Sequence, residues 1–413
     1  MSNESFVHDT VARDARMKWW REARFGMFIH FNMFSRWMDE DYKHLCEHPD
    51  DYSREDYDRL RVSKLTPDKD AVRSWVGAAK AAGMKYVVLT TKHNGGFCLW
   101  NSKVTDFNSV RLGPRRDIVA EYVRACRDNG LRVGFYYALN DRQCPHREAA
   151  TRDEAGRQAV IAYTRGLLRE LMTGYGEVSI LWYDEPWPLG YGGEWDSAEM
   201  NRIVRELQPG ILINDRSLTA QDFTCPEGRI TAPAFPDQNW EACMTFNGTW
   251  AWHPKDPAEY HTPRSVLDML WQVTSGGGNL LLNVGPNPHN GQISDLETER
   301  LLTVGKWLER NGQAVYGPND RPEGLGETKQ DFGGKWTKHG NDAYLWLFDW
   351  PGKTELVIEN VRAKLERVSL LPETPLEFQH ADGRVTIRGL PKECPDDLCG
   401  VAVLKLRFAS YPR

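Results

Sequence analysis

Short apolar runs alternate with amphipathic, helix-length segments over roughly residues 20–310. Six of the apolar runs predict buried strands: FGMFIHF (25–31), KYVVLTT (85–91), LRVGFYYAL (131–139), VSILWYD (178–184), ILIND (211–215) and NLLLNVG (279–285). Helices are predicted where apolar residues share one helical face and a glycine closes the segment, at residues 67–83, 116–130, 157–176 and 295–312. Repeated strand–helix units are typical of a (β/α)8-like barrel or a doubly wound sheet. We favour the barrel because no strand leads into a GxGxxG or P-loop motif.

The pattern changes after residue 317. A Gly-rich stretch, RPEGLGETKQDFGGKW (321–336), is followed by short alternating strands with no helix between them, at 342–350, 354–360, 366–371, 383–390 and 401–408. Closely spaced alternating strands are typical of an antiparallel β-sandwich. The sequence therefore predicts two domains, a (β/α)8-like barrel domain over 1–317 and a β-sandwich domain over 318–413.

Composition narrows the class of protein. The formal net charge is −6 without a long run of one sign, which argues against a nucleic-acid partner. No apolar run approaches the roughly 18 residues that a membrane span needs. The eight cysteines are scattered without a CxxC pair, as in free thiols of a reducing compartment. Since the sequence begins without an apolar signal-like stretch, we expect a cytoplasmic protein; a periplasmic or secreted chain trimmed of its signal would look the same.

Polar residues gather where the predicted strands end. These positions are His30, Lys92-His93-Asn94, Tyr136-Tyr137 with Asn140, Asp184, and Asn214-Asp215-Arg216. A single acid in such a place is usually a helix cap or a turn residue. Five strands ending in this way are different, because the carboxyl ends of barrel strands meet on the face that carries active sites. The pattern predicts one shared site on that face.

The residue types at these ends favour carbohydrate chemistry. No HxH, HExxH or His–carboxylate pair at ligand spacing is present, and no GxSxG elbow, so the sequence indicates neither a metal site nor a serine hydrolase. Sixteen tryptophans, many beside Gly, Pro, Asp or Asn, suit a cleft in which sugar rings stack. Glycoside hydrolysis needs two carboxyl groups. Asp184 is the candidate for the ionised one, and Glu227 or Glu241 for its partner.

The longest motifs resemble those of a known enzyme family. They are KWWREARFGMFIHF, AAGMKYVVLTTKHNGGFCLW, GPRRDIV, ILWYD, NWEACMTFNGTW and TSGGGNLLLNVGPNPHNGQIS. Together they are similar to the α-L-fucosidases of glycoside hydrolase family 29, over about residues 18–317. The resemblance implies a (β/α)8-like catalytic barrel followed by a β-sandwich, a retaining mechanism, a fucosylated oligosaccharide or related glycan as substrate, and no metal or other cofactor.

The resemblance also assigns roles to residues. It implies Asp184 as the nucleophile and Glu227 as the acid/base, with Glu241 of the WEACMT motif as the alternative. The implied sugar-binding residues are His30, His93, Asn94, Tyr137, Trp182, Arg216 and Trp250. Trp182 lies two residues before Asp184 on the same strand, so both side chains are expected on one face.

The chain departs from the family pattern at four places. KHNGGF replaces the usual KHHDGF and so introduces Asn94, IHFN replaces IHWG, and Glu40-Asp41 is the nearest match to a sugar-contacting Glu-Trp. Glu185 stands where the family commonly has glycine. We expect its side chain to point away from Asp184 into the loop; facing the cleft instead, it would add a negative charge able to alter substrate choice.

These departures leave alternatives to an exo-acting α-L-fucosidase open. One is a glycosidase for a related sugar such as α-L-galactose. Another is a non-catalytic carbohydrate-binding protein on a decayed scaffold, and a third is an inverting hydrolase that uses Glu241.

Overall fold

The structure, a computed structural model, describes residues 3–35, 53–190, 192–235, 237–318 and 335–410. Its N-terminal part is built on a curled parallel sheet of seven strands: β1 (Phe25–Ile29), β2 (Tyr86–Lys92), β3 (Arg132–Ala138), β4 (Ile180–Asp184), β5 (Leu212–Ile213), β6 (Glu241–Thr245) and β7 (Asn279–Val284). The strand order is β5-β4-β3-β2-β1-β7-β6. The barrel-like prediction is confirmed and all six predicted strands are present. The seventh, β6, was missed because it was interpreted as a loop.

Helices pack around this sheet. They are α1 (Asn3–Ala23), α2 (Arg54–Ser63), α3 (Ala71–Ala81), α4 (Ile118–Asp128), α5 (Glu154–Gly174), α6 (Ser197–Leu207), α7 (Pro263–Ser275) and α8 (Asp295–Asn311). The four predicted helices correspond to α3, α4, α5 and α8. Sequence signals set their ends: the Asp117 side chain accepts a hydrogen bond from the Ala120 amide at the start of α4, and Ser294 and Glu297 form a capping box at α8. No helix in the described part of the chain is long and apolar enough to cross a membrane.

An irregular segment, residues 222–228, occupies the gap between β5 and β6. It makes isolated parallel bridges to both neighbours, Asn214 with Phe223 on one side and Glu227 with Cys243 on the other. Backbone hydrogen bonds support this position, including one from the Cys243 amide to the Pro226 carbonyl of 3.1 Å. The segment thus takes the position of an eighth strand in the barrel, and it places Glu227 directly beside β6.

The barrel interior is arranged in layers because side chains alternate along each strand. A cluster of inward-facing residues fills its lower part, and α1 closes the bottom with Met17 and Trp20, both fully buried. On β6, Glu241 faces this lower layer while Cys243, two residues on, faces the layer above. That offset decides which polar groups meet in the cavity at the carboxyl ends of the strands.

The C-terminal part is a single antiparallel sheet folded on itself. Its strands are β8 (Lys335–His339), β9 (Asp342–Leu347), β10 (Glu355–Ile358), β11 (Leu365–Leu370), β12 (Thr374–Ala381), β13 (Arg384–Arg388) and β14 (Ala402–Phe408), in the order β10-β13-β12-β11-β14-β9-β8. Residues from opposite regions of the sheet share one core, as in a sandwich. The predicted sandwich is confirmed, although β8 and β12 were missed. Residues 319–334, which follow the predicted domain boundary and include most of the Gly-rich stretch, lie outside the described residues.

The sandwich packs against the barrel helices through aromatic residues. The Trp307 indole of α8 donates a 2.8 Å hydrogen bond to the Val401 carbonyl, and its ring centroid lies 5.1 Å from that of Trp346. All three residues are buried in the same core as the helix–sheet layer of the barrel. This contact makes the sandwich a support for α8, and no described residue of the sandwich lines the cavity described below.

Candidate active site

A cavity of about 420 Å³ opens at the carboxyl ends of the barrel strands. Of the ten residues predicted for the site, eight line it: His30, His93, Asn94, Trp182, Asp184, Arg216, Glu227 and Trp250. They come from the ends of β1, β2 and β4 and from the loops after β5 and β6, as expected for a barrel active site. The remaining two predicted residues, Tyr137 and Glu241, do not line the cavity.

Asp184 is the last residue of β4, and both its carboxylate oxygens are held by neighbours. The guanidinium Nη1 of Arg216 donates to Oδ1 at 2.7 Å, and the Tyr136 hydroxyl donates to Oδ2 at 2.9 Å. Two charge-assisted hydrogen bonds of this kind fix the orientation of a carboxylate. The Asp184 carboxylate is thereby presented to the cavity in a fixed orientation.

Arg216 joins Asp184 to the second carboxylate. Its Nη1 lies 2.7 Å from Asp184 Oδ1 and 2.7 Å from Glu227 Oε2, so these two oxygens are no more than twice 2.7 Å apart. Retaining glycosidases place their carboxyl groups about 5–5.5 Å apart and inverting ones about 6.5–9.5 Å. The guanidinium itself is fixed, because Nη2 donates to the Cys225 carbonyl at 3.1 Å and the group lies 4.7 Å from the ring centroid of Trp182. This upper limit lies below the inverting range and is compatible with the spacing of a retaining enzyme.

Two neutral histidines form the wall beside this pair. Burial and the nearby His93 lower the pKa of His30 to about 3. The amide nitrogen of Asn283 donates to the Trp250 carbonyl at 2.7 Å, so its oxygen faces His30 Nδ1 at 2.6 Å. His30 therefore carries its proton on Nδ1, which leaves Nε2 as an acceptor. Burial also lowers the pKa of His93, although the charge of Glu185 opposes this effect. Neutral imidazoles suit hydroxyl recognition.

Glu241, the alternative acid/base, lies one layer below the cavity. Its side chain is fully buried, and its carboxylate accepts a hydrogen bond from the Trp182 indole at 3.1 Å and another from the Tyr86 hydroxyl. Burial raises the pKa of Glu241 to about 7, against the opposing effect of these donors. Because the indole of Trp182 lies between it and the cavity, Glu241 is placed to orient Trp182 rather than to reach a substrate.

The structure corrects the choice of Tyr137 as a cavity residue: Tyr136 lines the cavity and Tyr137 does not. Consecutive residues of a strand face opposite sides. Tyr136 pairs with Trp182 across β3 and β4 and faces the cavity, whereas Tyr137 is buried in the helix-facing core under the ammonium of Lys92, 4.5 Å from its ring centroid. The sequence signal was available in the alternation along 131–139, but the two adjacent tyrosines fit either register until β4 fixes it.

Glu185 faces the cleft, so the expectation that it points into the loop away from Asp184 was wrong. It lines the cavity, and its backbone adopts a left-handed conformation with φ of 45°. This turn carries the side chain back toward the loop after β2. There the Asn94 amide nitrogen donates to both carboxylate oxygens, each at 2.7 Å. Two positions that depart from the family pattern are thus in direct contact.

The other departures are resolved in part. Of the IHFN stretch, Asn32 lines the cavity, while Phe31 packs on Trp75 of α3 with ring centroids 5.1 Å apart. Glu40-Asp41 lie outside the described residues. Within the ranges that the structure describes, no group of three or more His, Cys, Asp or Glu side chains is arranged to hold a metal ion. Sequence reasoning also missed the aromatic cavity residues Phe28 and Phe34, whose apolar type carries no functional signal.

Comparison with known proteins places this site in a family. The family model for alpha-L-fucosidase matches residues 2–313. An alpha-L-fucosidase of Branchiostoma floridae is 30% identical over 380 residues, covering 85% of this chain and 83% of that protein. The structure of alpha-L-fucosidase isoenzyme 1 from Paenibacillus thiaminolyticus superposes with a TM-score of 0.82 at 31% identity, over 97% of this chain and 100% of that one. A trapped covalent intermediate of a Bacteroides thetaiotaomicron alpha-L-fucosidase, with 2-fluoro-fucosyl fluoride, matches with a TM-score of 0.81 at 27% identity, over 96% and 97%. The chain therefore belongs to the alpha-L-fucosidase family, glycoside hydrolase family 29.

Proposed function

We propose that this chain is a retaining exo-α-L-fucosidase that removes terminal α-L-fucose from oligosaccharides or glycoconjugates. The observation that carries the proposal is the position of Asp184 and Glu227 on either side of a single guanidinium nitrogen, within the spacing of a double-displacement pair. The Bacteroides thetaiotaomicron relative, in which a covalent intermediate is trapped, supports the same mechanism for this chain.

The roles follow from exposure and contacts. Asp184 is the deeper carboxylate, with 20% of its side chain exposed, and it attacks the anomeric carbon as an oriented anion. Glu227 is the more open one at 46%, as needed by a group that meets the leaving oxygen and then water. Glu227 first protonates the departing oxygen and, in the second step, takes a proton from the water that attacks the glycosyl–enzyme. The proton and the anomeric configuration are thus both restored.

The cavity walls suit a deoxy sugar. Phe28 and Trp250, with ring centroids 6.1 Å apart, give an apolar side against which the C5 methyl group of fucose packs. Next to them lie the neutral histidines and Tyr136, which exchange hydrogen bonds with hydroxyl groups. A sugar with a hydroxymethyl group in place of the methyl would bring a polar oxygen to the apolar side.

The test compares 4-nitrophenyl α-L-fucoside with 4-nitrophenyl α-L-galactoside, with proton NMR on the first product. We expect faster release of nitrophenol from the fucoside, and α-L-fucose as the first anomer in solution. Folded wild-type protein that hydrolyses neither compound would favour the carbohydrate-binding alternative. Faster hydrolysis of the galactoside would reassign the sugar, and β-L-fucose as first product would indicate inversion.

A further inference from the structure

The contact between Asn94 and Glu185 forms a third acidic element in the cavity, next to the nucleophile but separate from the catalytic pair. Both residues line the cavity, and the Asn94 amide nitrogen lies 2.7 Å from each oxygen of the Glu185 carboxylate. A second amide donor, Asn140 Nδ2, lies 3.5 Å from Oε2. Glu185 pairs with no Lys or Arg within salt-bridge distance among the ion pairs of the described residues. Within that part of the chain, amide groups and not a cation orient the Glu185 carboxylate.

The left-handed backbone conformation of Glu185 supports a functional role for its side chain. A non-glycine residue at φ of 45° is disfavoured by contact between its Cβ and the backbone, and glycine avoids this contact. The loop after β3 stabilises this turn, because the backbone N–H of Asn140 donates to the Glu185 carbonyl at 2.8 Å. The chain thus keeps a carboxylate where the local backbone favours glycine, and strained positions of this kind cluster at functional sites.

The hydrogen-bond acceptor positions that remain on the Glu185 carboxylate define what it can bind. A carboxylate has four lone-pair positions on two oxygens. Asn94 supplies one donor shared by the two oxygens, and Asn140 a second at 3.5 Å from Oε2, so this cavity-lining carboxylate keeps lone-pair positions for further donors. Groups that donate two hydrogen bonds at the spacing of two carboxylate oxygens include the vicinal hydroxyls of a sugar ring. Neutral His30 also lines the cavity, and its Nε2 is an acceptor for a further hydroxyl.

We propose that Glu185, oriented by Asn94, is a specificity-determining residue that accepts hydrogen bonds from two vicinal hydroxyl groups of the sugar attacked by Asp184. The inference rests on the proposed function, because it takes the glycone to be the occupant of this cavity. A fucoside ring has free hydroxyls at C2, C3 and C4. Every vicinal pair among them includes the C3 hydroxyl, so the C3 hydroxyl is the group whose recognition depends on Glu185.

The experiment is a cycle of two substrates and several variants. The ratio of kcat/KM for 4-nitrophenyl α-L-fucoside to that for its 3-deoxy analogue is measured in wild type, Glu185→Gln and Glu185→Gly. Comparing ratios cancels the intrinsic reactivity of the 3-deoxy compound. Since a hydrogen bond to a charged group is stronger than a neutral one, we expect the ratio to fall in the order wild type, Gln, Gly, by roughly 10- to 150-fold in total. An equal ratio in all three proteins would overturn the inference.

Asn94 has its own test as a positioning residue. Asn94→Ala should lower the same ratio in the wild-type background and leave it unchanged in the Glu185→Gly background, which a merely structural role would not do. Asn94→Asp should lower it further by placing a like charge against Glu185. A matched control is Glu177→Gln, an exposed glutamate just before β4 paired to Arg132, which should leave the ratio unchanged. Equal effects of Asn94→Ala in both backgrounds would refute the positioning role.

Two further measurements distinguish this inference from an effect of the substitutions on folding and from the proposed function. Thermal unfolding should show Glu185→Gly at least as stable as wild type, since glycine suits the left-handed turn; a large loss of stability together with an unchanged ratio would make Glu185 structural. Calorimetric binding of methyl α-L-fucoside and its 3-deoxy analogue needs no turnover. A protein that binds with Glu185-dependent selectivity but does not hydrolyse fucosides would refute the proposed function and support this inference; hydrolysis without such selectivity would do the reverse.

Discussion

Replacement of Glu241 by glutamine separates the two glutamates that compete for the acid/base role. Glu241 lies in the lower layer of the barrel, where burial raises its pKa from 4.5 to about 7. Between these values the folded chain holds a proton that the unfolded chain has lost. Its contribution to the free energy of unfolding therefore falls as pH rises, at about 1.36 kcal/mol per unit. Integrated from pH 5 to pH 8, the loss is about 2.5 kcal/mol.

Glutamine cannot ionise, so Glu241→Gln removes this pH dependence. We expect the stability of the variant relative to wild type to improve by about 2.5 kcal/mol on going from pH 5 to pH 8, measured by urea unfolding followed by tryptophan fluorescence. The matched control is Glu297→Gln. Burial also raises the pKa of Glu297 to about 7, but this residue caps α8, away from the cavity. Both variants should show the stability signature, and only Glu241→Gln should alter tryptophan packing below the site.

Activity completes this test. On an α-L-fucosyl disaccharide, whose alkoxide leaving group needs a proton, Glu227→Gln should lose about 10²–10⁴-fold in kcat/KM. Glu241→Gln should lose less than about tenfold, because its carboxylate acts only through the hydrogen bond to Trp182. A loss of 10²-fold or more in Glu241→Gln with Glu227→Gln near wild type would refute this account of the barrel layers. An unchanged pH dependence of stability in Glu241→Gln would refute the burial argument.

Three further substitutions probe separate parts of the structure. Tyr136→Phe removes the 2.9 Å hydrogen bond to Asp184 and should lower kcat/KM for a fucoside about tenfold with unchanged thermal stability; no loss would show that the bond is dispensable. Arg216→Lys cannot span Asp184 and Glu227 with a fixed planar group, and should lower kcat/KM by about 10- to 150-fold, whereas wild-type activity would contradict the bridging role. Gly305→Ala puts a Cβ into the backbone carbonyl at the end of α3 and should destabilise the fold by roughly 1–3 kcal/mol in urea unfolding; an unchanged midpoint would mean that α8 can shift without cost.

The periodicity of the sequence predicted the architecture well because strands and helices of a barrel carry strong, regular patterns. The strand of residues 241–245 escaped because its first residues, Glu241-Ala-Cys, do not form an apolar run, although the strand is buried between β7 and the irregular segment at 222–228. Burial of Glu241 is possible only because Tyr86 and Trp182 supply donors from other strands. No local pattern encodes those partners.

The site was predictable where a residue ends a strand and less so where geometry depends on a turn. Asp184 and His30 follow directly from strand ends, and Trp182 from period-two alternation. Tyr136 could not be chosen over Tyr137 without the register of β3 against β4. Glu185 was misplaced because simple alternation sends it outward, whereas its left-handed φ reverses the direction of its side chain toward Asn94. The two residues lie 91 positions apart, so their contact depends on the tertiary structure and not on a local sequence pattern.

The central claim is that Asp184 forms a covalent bond to the sugar while Glu227 serves as acid/base. The most direct measurement is incubation of the protein with 2-deoxy-2-fluoro-L-fucosyl fluoride, followed by mass spectrometry of the intact protein and of its peptides. The account predicts one fluorofucosyl group per chain, carried by the peptide that contains Asp184 and absent from folded Asp184→Ala. A label on Glu227, Glu185 or Glu241, or turnover without any labelled intermediate, would contradict it.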